Sequence, residues 1–188
     1  MISGIILAGG AGRRMNGKDK GLVQWHEKAL IDHVIEHLAP QVSHLTINAN
    51  RHISIYQQRG YPVIQDKAQT LLGPLAGIEV GLEGLEAIET EWLAVAPCDS
   101  PLFPNDYVQR LYEFTLRHNL PLTWVRQNGR DHPLFCLIHR DLRGMLHDFL
   151  YQEEKRKVTD FFTRHGRALA FSEKLPLFAN FNDEASLK

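Results

Sequence analysis

The sequence predicts an α/β protein with a Rossmann-like three-layer fold, in which a mostly parallel sheet carries helices on both faces. The main observation is an alternation: short apolar runs typical of buried strands alternate with segments of helical periodicity as far as His118. The second is the turn signal Asn128-Gly129 between two strand-like runs, which predicts a short antiparallel hairpin in the C-terminal half. A chain of 188 residues suits a single domain that buries about 70 % of its unfolded surface.

The elements of the first half follow from where the apolar runs begin and stop. Strands are predicted at residues 2–8, 42–49, 62–65 and 92–96. Helices are predicted at 30–38, at 53–59, at 73–85, and from an Asn105 cap to residue 118. Strands joined by helices imply right-handed βαβ units, which place these strands parallel in one sheet.

The second half has a different pattern. Strands at 121–126 and 134–139 flank the hairpin turn, and helices are predicted at 141–151 and near 157–165. Adding antiparallel strands to parallel ones predicts a mixed sheet.

Composition and charge exclude several classes of function. The formal net charge is −1, which lacks the strong basic field expected of a general nucleic-acid-binding protein. No apolar stretch approaches 18 residues, so we predict no membrane span. The first residues lack the pattern of a secretory signal, and two cysteines make no disulfide framework, so we expect a cytoplasmic protein. We also expect a monomer.

A glycine-rich, cationic segment follows the first strand and predicts a polyphosphate site. Its glycines permit close approach of backbone N–H groups to a ligand, and its cations would neutralise the ligand's charge. The glycines are Gly9, Gly10, Gly12 and Gly17, and the cations are Arg13, Arg14, Lys18 and Lys20.

Two general phosphate-binding motifs fit this segment incompletely. The spacing from Gly12 to Gly17-Lys18 is that of a P-loop, but Asp19 stands where that motif needs a hydroxyl for Mg²⁺. The dinucleotide fingerprint begins with Gly10-Ala11-Gly12 and then meets Met15. A glycine-rich surface loop with scattered charge is the remaining alternative.

Polar residues also follow the other predicted parallel strands. They are Asn48 to Arg51, Asp66, and Asp99 within Pro97 to Pro101. Ligands of open α/β sheets bind outside the carboxyl ends of the strands, so these groups and the glycine segment should share one site. Asp99 is the best candidate ligand for Mg²⁺, which takes one or two carboxylates plus substrate phosphates. Each polar group taken alone is also typical of a helix cap or a turn.

The glycine segment resembles the signature of nucleotidyltransferases that join a nucleoside triphosphate to a small phosphorylated acceptor. That pattern, L-A-G-G-x-x-x-R-M-x-x-x-x-K, here reads Leu7 to Gly10, Arg14-Met15 and Lys20. Many members have Gly after the Met, where this chain has Asn16, a residue that tolerates the left-handed region.

Four further stretches resemble one family within this group, the molybdenum cofactor guanylyltransferases. They are Asn-Ala-Asn-Arg at 48–51, Gly-Pro-Leu-Ala-Gly at 73–77, Pro-Cys-Asp at 97–99 and Arg-Asp-His-Pro at 130–133. The resemblance implies transfer of GMP from GTP to the phosphate of the molybdopterin cofactor, with Mg²⁺ and release of pyrophosphate. It also implies GTP and molybdopterin as substrates, with accessory cofactor-biosynthesis proteins and molybdoenzymes as partners.

The resemblance further implies which residues carry each role. Nucleotide binding falls to Leu7, Ala8, Gly9, Gly10, Lys20, Asn48, Asp66 and Asp99, with Asp99 also holding the metal. Catalysis falls to Lys20, Asp99 and Arg14, which position the phosphates and neutralise their charge. Asn180 and Asn182 resemble the acceptor-side positions of the family. The segments 130–133, after the hairpin turn, and 155–157, with Arg156, are further acceptor-side candidates because they carry cations for a phosphate, although a run such as 155–157 is also typical of a solvated helix start. The nucleotide half then spans about 1–104 and the acceptor half about 105–188.

Three other hypotheses stay open at this stage. A cytidylyltransferase for the same pterin, or another small-acceptor nucleotidyltransferase, would share most of these motifs. His33, Glu36 and His37 form an H-x-x-E-H pattern found in zinc peptidases, but the apolar stripe of their helix should leave both histidines on the solvated side. A non-catalytic GTP-binding regulator would bind nucleotide without releasing pyrophosphate.

Overall fold

A computed structural model describes residues 1–10, 19–68 and 72–181 of the chain. Its main sheet has seven strands in the order β5-β4-β1-β6-β8-β7-β9, and β2 and β3 form a separate small hairpin. The strands are β1 (Ile2–Leu7), β2 (Gln24–Trp25), β3 (Lys28–Ala29), β4 (His44–Asn48), β5 (Val63–Ile64), β6 (Trp92–Pro97), β7 (Leu122–Gln127), β8 (Arg130–His139) and β9 (Arg167–Phe171).

Six α-helices are present in the described part of the chain. They are α1 (Leu30–Leu38), α2 (Ile53–Gln57), α3 (Pro74–Gly84), α4 (Tyr107–His118), α5 (Arg143–Tyr151) and α6 (Val158–His165). None of these helices is long and apolar enough to cross a lipid bilayer.

The parallel half of the sheet confirms the predicted βαβ arrangement. Strand β1 pairs in parallel with β4 on one side and β6 on the other, and β5 extends the sheet beyond β4. The carboxyl ends of these four strands therefore meet at one edge of the sheet.

The antiparallel half confirms the predicted hairpin and adds a strand. Strand β8 is antiparallel to both β6 and β7. Asn128 and Gly129 both have positive φ, 51° and 73°, as the tight turn between β7 and β8 requires. Strand β9, which was not predicted, pairs in parallel with β7 and forms the outer edge.

Helices cover both faces of the sheet, which confirms the three-layer architecture. On one face, Ile31 and Val34 of α1 and Leu111 of α4 join the core. On the other face, Leu75 of α3, Leu146 of α5 and Phe161 of α6 form a second apolar cluster. Apolar side chains of the strands contribute to both clusters, because successive residues of a strand point to opposite faces.

The structure corrects two local predictions. Asn105 does not cap α4: the helix begins at Tyr107, after Asp106, and the Asp106 side chain makes no capping hydrogen bond. Strand β8 begins at Arg130 rather than at the predicted residue 134, because Arg130, Asp131 and His132 pair with β7. The predictions for Arg14, Asn182 and the glycine segment at 11–18 lie outside the described residues.

Candidate active site

A cavity of about 580 Å³ opens at the carboxyl ends of the parallel strands. The residues predicted to bind the nucleotide line it, as do Arg156 and Asn180 of the acceptor side, but Asn50, Arg51 and residues 130–133 are not among the lining residues. The lining residues are Leu7, Ala8, Gly9, Gly10, Asp19, Lys20, Asn48, Asp66, Gly73, Pro74, Pro97, Cys98, Asp99, Leu134, Arg156 and Asn180. The fold therefore brings together segments that lie far apart in the sequence.

Backbone hydrogen bonds hold the end of β1 and the residue after it against the ends of the neighbouring strands. The Ala8 amide donates to the Asn48 carbonyl oxygen at 2.7 Å, and the Cys98 amide donates to the Leu7 carbonyl oxygen at 3.1 Å. A Cβ atom at Gly9 would lie 2.9 Å from the Asn50 amide nitrogen, so a larger residue would displace Asn50. The absence of a side chain at Gly9 keeps this part of the wall close to the strand ends.

Asp66 is held by two asparagines from the end of β4. The Asn48 Nδ2 group donates to Asp66 Oδ1 at 2.8 Å, and the Asn50 Nδ2 group donates to Asp66 Oδ2 at 3.0 Å. The Asp66 amide in turn donates to Asn50 Oδ1 at 2.9 Å. The carboxylate is thus fixed at both oxygens in the cavity wall.

Asn48 itself is deeply buried, with 2 % of its surface exposed. Its Nδ2 group also donates to the Ile64 carbonyl oxygen at 3.2 Å, while its Oδ1 lies against α3. A Cβ atom at Gly77 would lie 2.4 Å from Asn48 Oδ1, so the helix approaches this closely only because residue 77 is glycine. Asn48 therefore supports Asp66 and also lines the cavity.

Lys20 and Asp99 lie next to each other in the cavity wall. The Lys20 Nζ atom lies 3.5 Å from Asp99 Oδ2. Lys20 begins a short 3₁₀ turn, residues 20–22, and Asp99 follows directly after strand β6 and Cys98. Asp99 is 6 % exposed, so its carboxylate is held in a confined position.

The loop after β6 is tied to the end of the described chain. The Ser100 hydroxyl donates to Asn180 Oδ1 at 2.7 Å, and the Phe181 amide donates to the Asp99 carbonyl oxygen at 2.9 Å. Phe181 also packs edge-on against Trp25 of β2, with 4.9 Å between the ring centroids. Asn180 therefore lies beside the Asp99 loop rather than at a separate, distant surface.

The donor groups at this edge suit a hard divalent cation. Asp99 brings a carboxylate to the cavity wall, whereas the Asp19 carboxylate bonds the Tyr56 hydroxyl and the Gly21 amide. Among the described residues, no group of three or more histidine, cysteine or acidic side chains forms a preassembled metal site. Mg²⁺ fits this arrangement, since it takes only one or two carboxylates and completes its shell with phosphate oxygens and water.

Cys98 is a buried neighbour of Asp99. Burial raises the pKa of its thiol well above the usual value, and the carboxylates of Asp99 and Asp19 raise it further. The thiol is therefore protonated at neutral pH, and its side chain packs in the apolar core.

The H-x-x-E-H pattern has a different environment from the one predicted. His33 and His37 are half-buried rather than solvated. The His33 ring bonds the Trp25 carbonyl oxygen at 2.7 Å, and the His37 ring bonds the Phe103 carbonyl oxygen at 2.8 Å. Each ring therefore fastens helix α1 to a different neighbouring segment.

Sequence reasoning missed several lining residues. Asp19 was considered only as a defect in a P-loop pattern, yet it lines the cavity. Leu134 of β8 enters the wall because β8 pairs beside β6, a neighbour relationship that a single sequence does not specify. Asn50 does not line the cavity, but it follows strand β4 as predicted and acts there as a hydrogen-bond partner of Asp66, a role that its sequence position does not indicate.

Comparisons with known proteins agree with this geometry. The sequence profile of the MobA-like NTP transferase domain matches residues 4–168. A molybdenum cofactor guanylyltransferase from Yersinia pestis (strain Pestoides F) is 39% identical over 184 residues, which cover 98% of this chain and 92% of that protein.

Solved structures with much lower identity share the fold. The molybdopterin-guanine dinucleotide biosynthesis protein A of Archaeoglobus fulgidus has a TM-score of 0.77 at 20% identity, covering 98% of this chain and 94% of that one. A 4-diphosphocytidyl-2C-methyl-D-erythritol synthase from Anaerococcus prevotii DSM 20548 has a TM-score of 0.73 at 11% identity, covering 100% of this chain and 92% of that one. The profile match and the near full-length relative confirm the family that the loop pattern indicated: the chain belongs to the MobA-like NTP transferase family.

Proposed function

We propose that this protein transfers GMP from GTP to the phosphate of the molybdopterin cofactor and releases pyrophosphate. The observation that carries the proposal is the single cavity lined by both the nucleotide-side and the acceptor-side residues. The near full-length relative named molybdenum cofactor guanylyltransferase supports the same substrates.

In this proposal the strand ends hold the nucleotide. Leu7 to Gly10 would offer backbone groups to it, and Asn48 and Asp66 would offer a fixed set of hydrogen-bonding atoms to the base or sugar. Lys20 would neutralise phosphate charge, since its ammonium group already reaches the edge of the cavity beside Asp99. Arg14, outside the described residues, is proposed to add a second cation.

The reaction would be an in-line displacement at the α-phosphorus of GTP. An oxygen of the acceptor phosphate attacks, the bond to the bridging oxygen of the β-phosphate breaks, and pyrophosphate leaves with that electron pair. Lys20 would stabilise the charge that develops on the leaving group. Asp99 would hold Mg²⁺, which when bound would neutralise phosphate charge and orient the phosphates.

The acceptor would enter beside the Asp99 loop. Asn180 and Arg156 line the cavity with the nucleotide-side residues, so a phosphate held there lies near the proposed reaction centre. Arg156 would pair with the acceptor phosphate, and Asn180 and Asn182 would bond the polar edge of the pterin.

A nucleotide panel tests this function. Thermal unfolding is followed with GTP, CTP, ATP or UTP, each with Mg²⁺, and pyrophosphate release is then measured with molybdopterin added. GTP at about 100 times its dissociation constant should stabilise the fold by about 2.7 kcal/mol, and only GTP should support rapid release. A larger effect of CTP in both measurements would assign the protein as a cytidylyltransferase. Binding of GTP without acceptor-dependent pyrophosphate release would indicate a regulator.

A further inference from the structure

A buried tyrosine contacts the segment that carries Lys20. Tyr56 lies in helix α2 and is fully buried, with 0 % of its surface exposed. Its hydroxyl donates to Asp19 Oδ1 at 2.5 Å. Asp19 directly precedes Lys20, so this bond joins α2 to the start of the turn that presents the lysine.

The same carboxylate oxygen caps the 3₁₀ turn at residues 20–22, called the lysine turn below because it begins with Lys20. Asp19 Oδ1 also accepts from the Gly21 amide at 3.2 Å, and Asp19 is thereby the N-cap of the 3₁₀ turn at residues 20–22. A side-chain oxygen in this position satisfies an otherwise unpaired backbone N–H group and fixes the first residue of the turn. That first residue is Lys20, whose Nζ atom lies 3.5 Å from Asp99 Oδ2.

The contact between Tyr56 and the turn is tight. A Cβ atom at Gly21 would lie only 2.6 Å from the Tyr56 hydroxyl oxygen, so any larger residue there would separate the hydroxyl from Asp19. Arg59, which follows helix α2, donates to the Ile55 carbonyl oxygen of that helix at 2.6 Å and bonds both carboxylate oxygens of Asp32 on α1 at 3.0 and 3.3 Å, so α2 is itself anchored. The tyrosine hydroxyl is therefore a fixed point for the lysine turn.

The Tyr56 hydroxyl is the donor in its hydrogen bond to Asp19. Burial raises the pKa of its hydroxyl far above neutral, and the nearby Cys98 and Asp19 raise it further. The hydroxyl is therefore protonated at neutral pH, where it donates to Asp19.

Asp19 lines a cavity proposed for polyphosphate, where an unrestrained carboxylate would repel the ligand. The hydrogen bonds from Tyr56 and Gly21 hold this carboxylate in place, where it caps the turn at residues 20–22. We propose that Tyr56 and Asp19 are positioning residues for Lys20: they set the direction of its ammonium group toward the phosphates of the bound triphosphate. This inference rests on the proposed function, because it assigns a further part of the same site.

A double-mutant cycle tests the inference. It measures affinity for a polyphosphate, so its result does not depend on recognition of the nucleotide base or of the acceptor. Binding of inorganic tripolyphosphate with Mg²⁺ is measured by calorimetry for the wild type, Tyr56→Phe, Lys20→Ala and the double variant. We expect Tyr56→Phe to weaken binding about tenfold, since it removes a hydrogen bond to a charged group and frees the turn. In the Lys20→Ala background the same change should alter affinity less than twofold. An equal loss in both backgrounds would contradict the inference.

Tyr107→Phe is the matched control for the loss of a buried hydroxyl. Tyr107 is also fully buried, but its hydroxyl donates to the carbonyl oxygens of Val95 and Cys136 in the sheet. We expect Tyr107→Phe to lower the thermal stability while tripolyphosphate affinity stays within twofold. A tenfold loss of affinity in this control would show that general destabilisation explains the Tyr56 result.

A pair of variants at Asp19 tests the inference even if Tyr56→Phe does not fold. Asp19→Asn keeps an Oδ1 acceptor for Tyr56 and Gly21, so its affinity should stay within threefold of the wild type. Asp19→Ala removes the acceptor and should lose about tenfold. Equal losses in Asp19→Asn and Asp19→Ala would contradict positioning, because the negative charge itself would then be required. Failure of the wild type to transfer GMP would contradict the proposed function, while the affinity cycle would still decide the role of Tyr56.

Discussion

Asn48 donates a hydrogen bond to Asp66 across adjacent strand ends, at 2.8 Å. Strands β4 and β5 pair in parallel, and Asn48 lies opposite Ile64 in the register. Ile64 lies two residues before Asp66, so Asn48 and Asp66 are close at this edge of the sheet. A buried asparagine thus fixes a carboxylate that faces the cavity. The bond depends on helix α3 leaving room for the Asn48 side chain, which makes a glycine of that helix a sensitive position.

We predict that Gly77→Ala weakens GTP binding. The added Cβ would lie 2.4 Å from Asn48 Oδ1 and would force the amide away from Asp66. Overpacking of this kind costs about 1–3 kcal/mol, although alanine is otherwise the better helix former. Calorimetry with GTP and thermal unfolding measure the two effects.

Gly84→Ala is the control for this prediction. Gly84 ends the same helix, and a Cβ there meets nothing within 4 Å. This variant should keep wild-type GTP affinity and be as stable as the wild type or more so. Normal GTP affinity in Gly77→Ala would show that Asn48 does not need its observed position.

Lys20 and Asp99 should contribute to different stages of the reaction. We predict that Lys20→Ala weakens GTP binding and lowers turnover, because a phosphate loses its cation. Asp99→Ala should leave Mg²⁺-free GTP binding nearly intact and abolish transfer. Calorimetry with and without Mg²⁺, together with initial rates, separates the two. Transfer by Asp99→Ala at more than about a tenth of the wild-type rate, a loss under ~1.4 kcal/mol, would place the metal elsewhere.

Cys98 should be chemically inert despite its position beside Asp99. Because burial raises the pKa of its thiol, the reactive thiolate is scarce at neutral pH. We predict that Cys98→Ser retains transfer activity, and that iodoacetamide labels neither Cys98 nor the buried Cys136 in the folded protein at pH 7. Labelling should appear only after unfolding in denaturant. Rapid labelling of native Cys98, accompanied by loss of activity, would contradict this assignment.

Asn180 and Asn182 should select the acceptor. We predict that the double substitution by Ala weakens molybdopterin binding and leaves GTP affinity within about twofold, some 0.4 kcal/mol. Ser100→Ala is an informative companion, since it removes the hydroxyl that donates to Asn180 Oδ1 at 2.7 Å. It should reproduce a smaller part of the same loss. If the double substitution and Ser100→Ala both weakened GTP binding and left molybdopterin binding unchanged, the nucleotide-binding and acceptor-binding residues would have been assigned the wrong way round.

The parallel half of the fold could be predicted because short stretches of sequence indicate where each of its strands and helices begins and ends. Each strand there carries apolar side chains and ends at, or within two residues of, a polar or glycine residue, and the carboxyl ends of parallel strands meet by geometry. Leu7, Asn48, Asp66 and Asp99 accordingly lie at one edge, as predicted. Their chemical roles remain predictions.

The remaining features depend on contacts between distant segments. Strand β9 is short and weakly patterned, and it becomes a strand by pairing with β7. Asn180 reaches the Asp99 loop because the chain after β9 is held by Gln127, whose amide bonds the backbone at Glu173, Leu175 and Leu177. Asn105 has the residue type of a helix cap, but α4 begins two residues later, after the turn in which the Tyr107 amide donates to the Pro104 carbonyl oxygen. Local propensity does not contain these relationships.

Following a labelled α-phosphate shows whether the protein transfers GMP from GTP to molybdopterin. The protein is incubated with Mg²⁺, molybdopterin and GTP that carries the label at either the α- or the γ-phosphorus, and the products are separated. We expect the α-label to appear in a pterin–GMP dinucleotide and the γ-label in pyrophosphate, in equal amounts. An α-label on the protein, release of the γ-label as inorganic phosphate, or no dinucleotide with GTP while CTP yields one would contradict it.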